Sequence, residues 1–211
     1  MHLYGFLIGI AIVASVFIFE KQNTLLSPKH LNYFIFGTIL SGVIGARLYH
    51  VLDYWDYYTD NHLEIIKTWN GGLGIYGALL GGALFIYVFC QFKNISFIKL
   101  VNQVVIPLPL AQSIGRFGNL LNREVYSPSG QPVWLYESIL NLLLFALILK
   151  VKKNKAAIYM ISYGFIRFFL EFLREDTWAI ANIKIAQIIS LVFVVLGVII
   201  KNHGQSRETI I

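Results

Sequence analysis

The sequence predicts an all-α, polytopic membrane protein of about seven transmembrane helices, with its N-terminus outside and its C-terminus cytoplasmic. Three observations carry this. Of 211 residues, 57% are hydrophobic and only 13% are charged, whereas soluble domains carry about 25% charged residues. Several apolar runs approach the ~20 residues that a helix needs to cross a bilayer. The basic residues also gather in alternate links between those runs. The expected organisation is one integral membrane domain over residues 1–202 followed by a cytoplasmic tail, 203–211. The net charge of +6 is then a topology signal, and no nucleic-acid partner is expected. The single cysteine, Cys90, lies inside an apolar run, which excludes an internal disulfide and any multi-cysteine metal site.

The spans follow in order as Leu3–Phe19, Leu31–Tyr54, Leu73–Phe92, Phe97–Leu121, Val133–Val151, Ala157–Leu173 and Ile185–Ile200. The first has no basic residues before it and no small-residue cleavage site after it, so it reads as a retained span. Lys21 and Lys29 fill the first link, Lys93 and Lys99 flank the third, and Lys150, Lys152, Lys153 and Lys155 crowd the fifth. The positive-inside rule puts these links in the cytoplasm. The second link, Trp55–Gly72, is aromatic and acidic; it suits an interfacial belt, as a plain loop or as a short helix lying on the membrane. Gly77 and Gly81 form a Gly-x-x-x-Gly, a spacing that lets helices approach closely. Pro107 and Pro109 should break the ladder of the fourth span.

Polar residues inside these spans are costly unless paired or turned to a polar cavity, so they mark candidate sites. Gly115–Glu124 is the densest such stretch. In it Arg116, Asn119 and Asn122 recur at three-residue spacing, and Glu124 closes the run. If the stretch is helical, the three share one face. A planar guanidinium beside two amides suits a phosphate or carboxylate. With the topology above, Tyr4, Arg47, Tyr76, Arg116, Asn119, Glu137, Tyr163, Arg167 and Glu171 all fall in the outer half, and the inner half holds almost no ionisable group. That pattern predicts one polar cavity opening toward the outer leaflet, and it favours a lipid-facing catalytic site over a pore. Plainer readings exist for each residue. Arg167 and Glu171 at i,i+4 can be a simple intrahelical pair, Arg47 can snorkel to the headgroups, and the tyrosines can be belt aromatics.

The decamer Gly-Arg-Phe-Gly-Asn-Leu-Leu-Asn-Arg-Glu at 115–124 closely resembles the signature of bacterial phosphatidylglycerol–prolipoprotein diacylglyceryl transferases. Further blocks agree in the same order: Tyr4-Gly5, Gly45-Ala46-Arg47-Leu48-Tyr49, Gly71-Gly72-Leu73-Gly74-Ile75-Tyr76-Gly77, Leu135-Tyr136-Glu137, and Tyr163-Gly164-x-x-Arg167-x-x-x-Glu171. The resemblance covers nearly the whole chain. It implies an enzyme of the bacterial cell membrane that moves a diacylglyceryl group from phosphatidylglycerol to the lipobox cysteine of exported prolipoproteins, releasing glycerol phosphate and using no cofactor or metal. It further implies catalytic roles for Arg116, Arg167, Glu171 and Tyr76. Substrate-binding roles fall to Tyr4, Arg47, Asn119, Asn122, Glu124, Glu137 and Tyr163. Two departures stand out. Many members carry His where this chain has Tyr76, and tyrosine, with an unperturbed pKa near ~10, is a poorer base at neutral pH. The outer link between the fourth and fifth spans is also short, with Tyr126–Gln131 where members often carry a longer arm. The rival readings are a non-enzymatic phospholipid-binding or transport protein, and a relative that has lost turnover.

Overall fold

A computed structural model describes residues 2–122, 124–174, 177, 179–180 and 183–206. The helices are α1 (His2–Gln22), α2 (Pro28–Asp53), α3 (Trp55–Asp60), α4 (Ile75–Lys93), α5 (Phe97–Val104), α6 (Leu108–Asn122), α7 (Val133–Lys150), α8 (Lys155–Leu170) and α9 (Ile185–Ser206). Among the described residues, six helices are long and apolar enough to cross a membrane, or seven when the bent pair α5–α6 counts as one span. The bend is 41° and falls at the expected place. Pro107 closes the break between the two helices, and its carbonyl accepts the Ala111 N–H at 3.0 Å, starting the second helix. Pro109 then sits in the first turn of α6, where a missing N–H costs no helical bond.

The described chain adds to the all-α expectation one minimal antiparallel pairing, β1 (Ala179–Ile180) with β2 (Ile183–Lys184), just ahead of α9. Residues 203–206 of the expected tail prolong α9; residues 207–211, like Arg123, Glu175 and Asp176, lie outside the described residues.

The chain divides into two compact units, residues 1–23 with 101–211, and residues 24–100. The first unit packs α1 on α6, α6 on α7, α7 on α8 and α8 on α9. Its apolar core gathers Val105, Ile106, Leu144, Ile148, Ala156 and Tyr159. Asn154 turns the chain into α8 with φ 56°, a left-handed conformation that asparagine tolerates better than most residues. Asn102 of α5 then caps this helix by accepting the Ala156 N–H at 2.8 Å.

The second unit is built on the α2–α4 crossing. There Gly45 and Gly77 face each other so closely that a Cβ on either would strike the other's carbonyl oxygen, and a Cβ on Gly81 would strike that of Ser41. Backbones therefore touch at this crossing, as the Gly-x-x-x-Gly spacing predicts. Phe34, Phe85 and Phe89 fill the wider end, with Phe34 and Phe89 edge to face at 5.1 Å. Hydroxyls in both units are turned back onto their own helices, as in Ser15 to Ala11 O and Ser41 to Gly37 O, both 2.7 Å. This removes donors that hydrocarbon cannot satisfy.

Candidate active site

The first unit holds a buried ion cluster at one end of its α6–α7–α8 interface. Glu137 lies in the second turn of α7 and is fully buried. One of its oxygens accepts from Arg116 Nη2 of α6 at 2.5 Å, and the other accepts from Arg167 Nη1 of α8 at 3.0 Å. A single carboxylate thus holds two guanidiniums from two different helices. Arg167 also donates through Nη2 to Glu171 Oε2 at 2.7 Å, the i,i+4 pair the sequence suggests. Arg174 Nη1 approaches the same oxygen at 3.9 Å. Glu171 is fully buried, and its second oxygen, Oε1, has no hydrogen-bond partner among the described residues.

Why these helices meet here can be read one layer deeper. Ser113 and Ser138 share a hydroxyl–hydroxyl bond of 2.9 Å, and Ser138 Oγ also lies 3.0 Å from the Ser113 carbonyl. This sets the register of α6 against α7, one turn before Arg116 meets Glu137. On the α8 side, Gln112 Nε2 donates to the Tyr159 hydroxyl at 2.9 Å, and the Tyr159 and Tyr163 rings stack at 5.6 Å. Tyr163 stands within electrostatic reach of Glu137, Arg116 and Arg167.

The other predicted residues of this unit fall around the cluster. Asn119 Oδ1 lies at 3.5 Å from Arg116 Nη1, a marginal bond, and its amide points to Glu124 Oε2 at 3.4 Å. Asn122 and Glu124 are exposed at the end of α6. The turn that follows carries Val125 at φ 63°, a strained conformation for a β-branched residue. Tyr4 of α1 lays its ring on α6 at Gly118, where any Cβ would collide with it; this brings Tyr4 beside the Arg116–Asn119 turn.

The second unit carries the remaining two predicted residues. Arg47 is 7% exposed, and it spends its guanidinium on backbone. It donates to the carbonyls of Ile65 (2.9 Å), Gly71 (2.7 Å) and Gly72 (2.9 Å), and also to that of Glu64. Its flat face lies 5.3 Å from the Tyr58 ring centre. Tyr76 opens α4 half-exposed, with its ring 6.1 Å from that of Tyr49. The Gly74 N–H donates to the Ala46 carbonyl at 3.0 Å, so α2 holds the start of α4.

Sequence reasoning missed four contributors. Arg174 lies at i,i+3 to Glu171, but a charge just past the end of an apolar run carries no signal that sets it apart from a link residue. Lys184 donates from Nζ to the carbonyls of Glu171, at 2.7 Å, and of Arg174, and no local pattern announces a contact 13 residues long. Ser113 and Ser138 carry no signal beyond being hydroxyls in apolar runs.

Chemically, three guanidiniums and the Lys184 ammonium gather about two buried carboxylates, so among the described residues cations outnumber carboxylates, which suits an anion. Arginine forks match phosphate oxygens. The free Glu171 oxygen is an acceptor held where water is scarce.

Comparison with known proteins agrees with this chemistry. Residues 1–201 match the family described as prolipoprotein diacylglyceryl transferase. A protein of Clostridioides difficile is 36% identical, covering 93% of this chain and 88% of its own length. Others come from Finegoldia magna, at 33% over 94% and 89%, and Streptococcus pneumoniae, at 33% over 97% and 90%. Each is named a phosphatidylglycerol–prolipoprotein diacylglyceryl transferase. With a multi-pass helical fold, a buried arginine–carboxylate cluster and this extent of similarity, the chain belongs to the prolipoprotein diacylglyceryl transferase family.

Proposed function

We propose that this protein, in the bacterial cell membrane, transfers the diacylglyceryl group of phosphatidylglycerol to the lipobox cysteine of exported prolipoproteins. The observation that carries the reading is Glu137 holding Arg116 and Arg167 together, 2.5 and 3.0 Å away. In the reaction the cysteine sulfur attacks the glyceryl carbon that bears the phosphate. The C–S bond forms, the C–O bond to phosphate breaks, and glycerol phosphate leaves with the electron pair. Arg116 and Arg167 stabilise the developing phosphate charge. Glu137 pre-sets the spacing of the two forks and lowers the cost of burying them side by side.

The thiol has an ordinary pKa of ~8.5 and reacts as thiolate, so its proton must go to a base. Glu171 is our candidate: Oε2 is occupied by Arg167 while Oε1 meets no partner among the described residues. Tyr163, Tyr4 and Asn119 offer hydrogen bonds to the headgroup glycerol, with Asn122 and Glu124 at the rim. Tyr76 serves as a hydrogen-bonding group, because tyrosine is a weak base at neutral pH. Arg47, with its guanidinium on backbone carbonyls, holds the link that leads into α4. The site lies toward the outer leaflet, with the N-terminus outside and the lysine-rich links cytoplasmic.

The test is purified protein in phosphatidylglycerol vesicles with a lipobox peptide. Thioether-linked peptide and released glycerol phosphate in equal amounts are expected. Phospholipid binding without either product overturns the reading in favour of a non-enzymatic lipid binder.

A further inference from the structure

The link between α3 and α4 has an internal order that nothing in the transferase reading requires. The N–H groups of Glu64, Lys67 and Asn70 donate to the carbonyls of Asn61, Glu64 and Lys67 at 2.9, 3.1 and 3.2 Å. They close two short 3-10 helices, His62–Ile66 and Thr68–Asn70, joined at Lys67, which leaves the helical conformation with ψ 68°; within each, side chains at i and i+3 lie over one another. Two sets of side chains recur at every third residue. Leu63, Ile66 and Trp69 form one, and they are 76, 70 and 75% exposed. Glu64, Lys67 and Asn70 form the other, tied together by Lys67 Nζ to Glu64 Oε1 at 2.6 Å and Asn70 Nδ2 to Glu64 Oε2 at 3.1 Å.

The segment is also bolted down. Arg47 gathers the carbonyls of Glu64, Ile65, Gly71 and Gly72 on its remaining side, with that of Lys67 at 3.5 Å. Gly71 and Gly72 adopt φ 91° and 73°, where side chains are disfavoured, and a Cβ on Gly72 would meet Arg47 Nη1 at 2.5 Å. The orientation of the apolar stripe is therefore set by a buried side chain.

We propose that residues 61–72 are a rigid amphipathic ledge whose Leu63–Ile66–Trp69 stripe seats in the headgroup–acyl boundary of the bilayer, with Arg47 as its positioning residue. The occupant is lipid because of where the link lies in the chain. The link joins two membrane-crossing helices, α2 and α4. Leu52, Leu73 and Ile75 at their adjoining ends are 71, 50 and 66% exposed. A tryptophan with aliphatic neighbours on one face and paired polar groups on the other is the composition of an interfacial anchor. This inference stands on the membrane-spanning fold and does not depend on the transferase reading.

Single cysteines at positions 63, 64, 66, 67 and 69, in a Cys90→Ala chain, carry a nitroxide in vesicles of phosphatidylethanolamine and phosphatidylglycerol. Collision rates with oxygen and with a water-soluble nickel chelate are compared by electron paramagnetic resonance. Positions 63, 66 and 69 should favour oxygen, and 64 and 67 should favour nickel, a period of three. Equal nickel access at all five positions overturns the proposal and makes the link a solvated loop. Shielding of 63, 66 and 69 from both reagents overturns it in favour of a protein-covered surface. Arg47→Gln, checked for retained helix content by circular dichroism, should erase the period; an undiminished period overturns the positioning role of Arg47.

Discussion

Glu137 is the residue on which the geometry of the proposed active site turns, since each of its oxygens is committed to a different arginine. Lysine in place of Arg116 or Arg167 keeps the charge but loses the fork. Turnover per folded molecule should fall by a factor on the order of 100 or more for either Arg→Lys change, whereas Phe117→Leu, on the same helix, should be nearly silent. If both lysine variants turn over normally, the arginines are not a phosphate clamp. Glu137→Ala leaves two buried guanidiniums without their shared partner. The loss should be about 3–5 kcal/mol of stability, read as a lowered melting temperature in detergent, with turnover falling as well; an unchanged melting temperature would contradict the bridging role. At this scale the sequence was partly legible. Arg116, Arg167 and Glu171 announce themselves as charges in apolar runs, and the Arg167–Glu171 pair follows from i,i+4 spacing. That Glu137 serves the arginines was not legible, because the partners lie 21 and 30 residues away. The same holds for Arg47, whose carbonyl partners exist only once the link has folded against it.

The helices themselves follow local rules with few surprises. Proline 107 ends one helix and begins another because it has no N–H to give and its ring excludes a continuing turn; the 41° bend is the result. Asparagines 94 and 154 take left-handed turns at helix ends, where that conformation is needed. The α2–α4 crossing depends on missing side chains. Gly45→Val or Gly77→Val drives atoms into a facing carbonyl. Each should cost about 1–3 kcal/mol through overpacking, seen as lower yield of folded protein and a lower melting temperature. Gly82→Ala has open space around its new methyl group and should leave both measurements unchanged. A Gly77→Val protein as stable as the parent would show that the helices do not cross this closely.

Across the whole chain, basic residues alternate between rich and poor links, and this should decide orientation in the membrane. In cells expressing a Cys90→Ala chain, an impermeant thiol reagent added outside should label Asp60→Cys and should reach Lys153→Cys only after permeabilisation. The reverse pattern would invert the topology and place the ion cluster toward the cytoplasm. The sequence by itself determined the all-helical membrane class, roughly where the apolar helices fall, the break at Pro107 and the close helix contact at Gly77. Each of these depends on composition, on period or on the stereochemistry of one residue, which are properties the chain carries before it folds. Only the tertiary structure decided how charge is shared: Glu137 between two arginines, Glu171 with one oxygen unpartnered among the described residues, Arg47 turned onto backbone carbonyls. Partner choice among buried charges depends on which side chains are brought within ~3 Å of one another, and that distance is set by the packing of helices far apart in the chain.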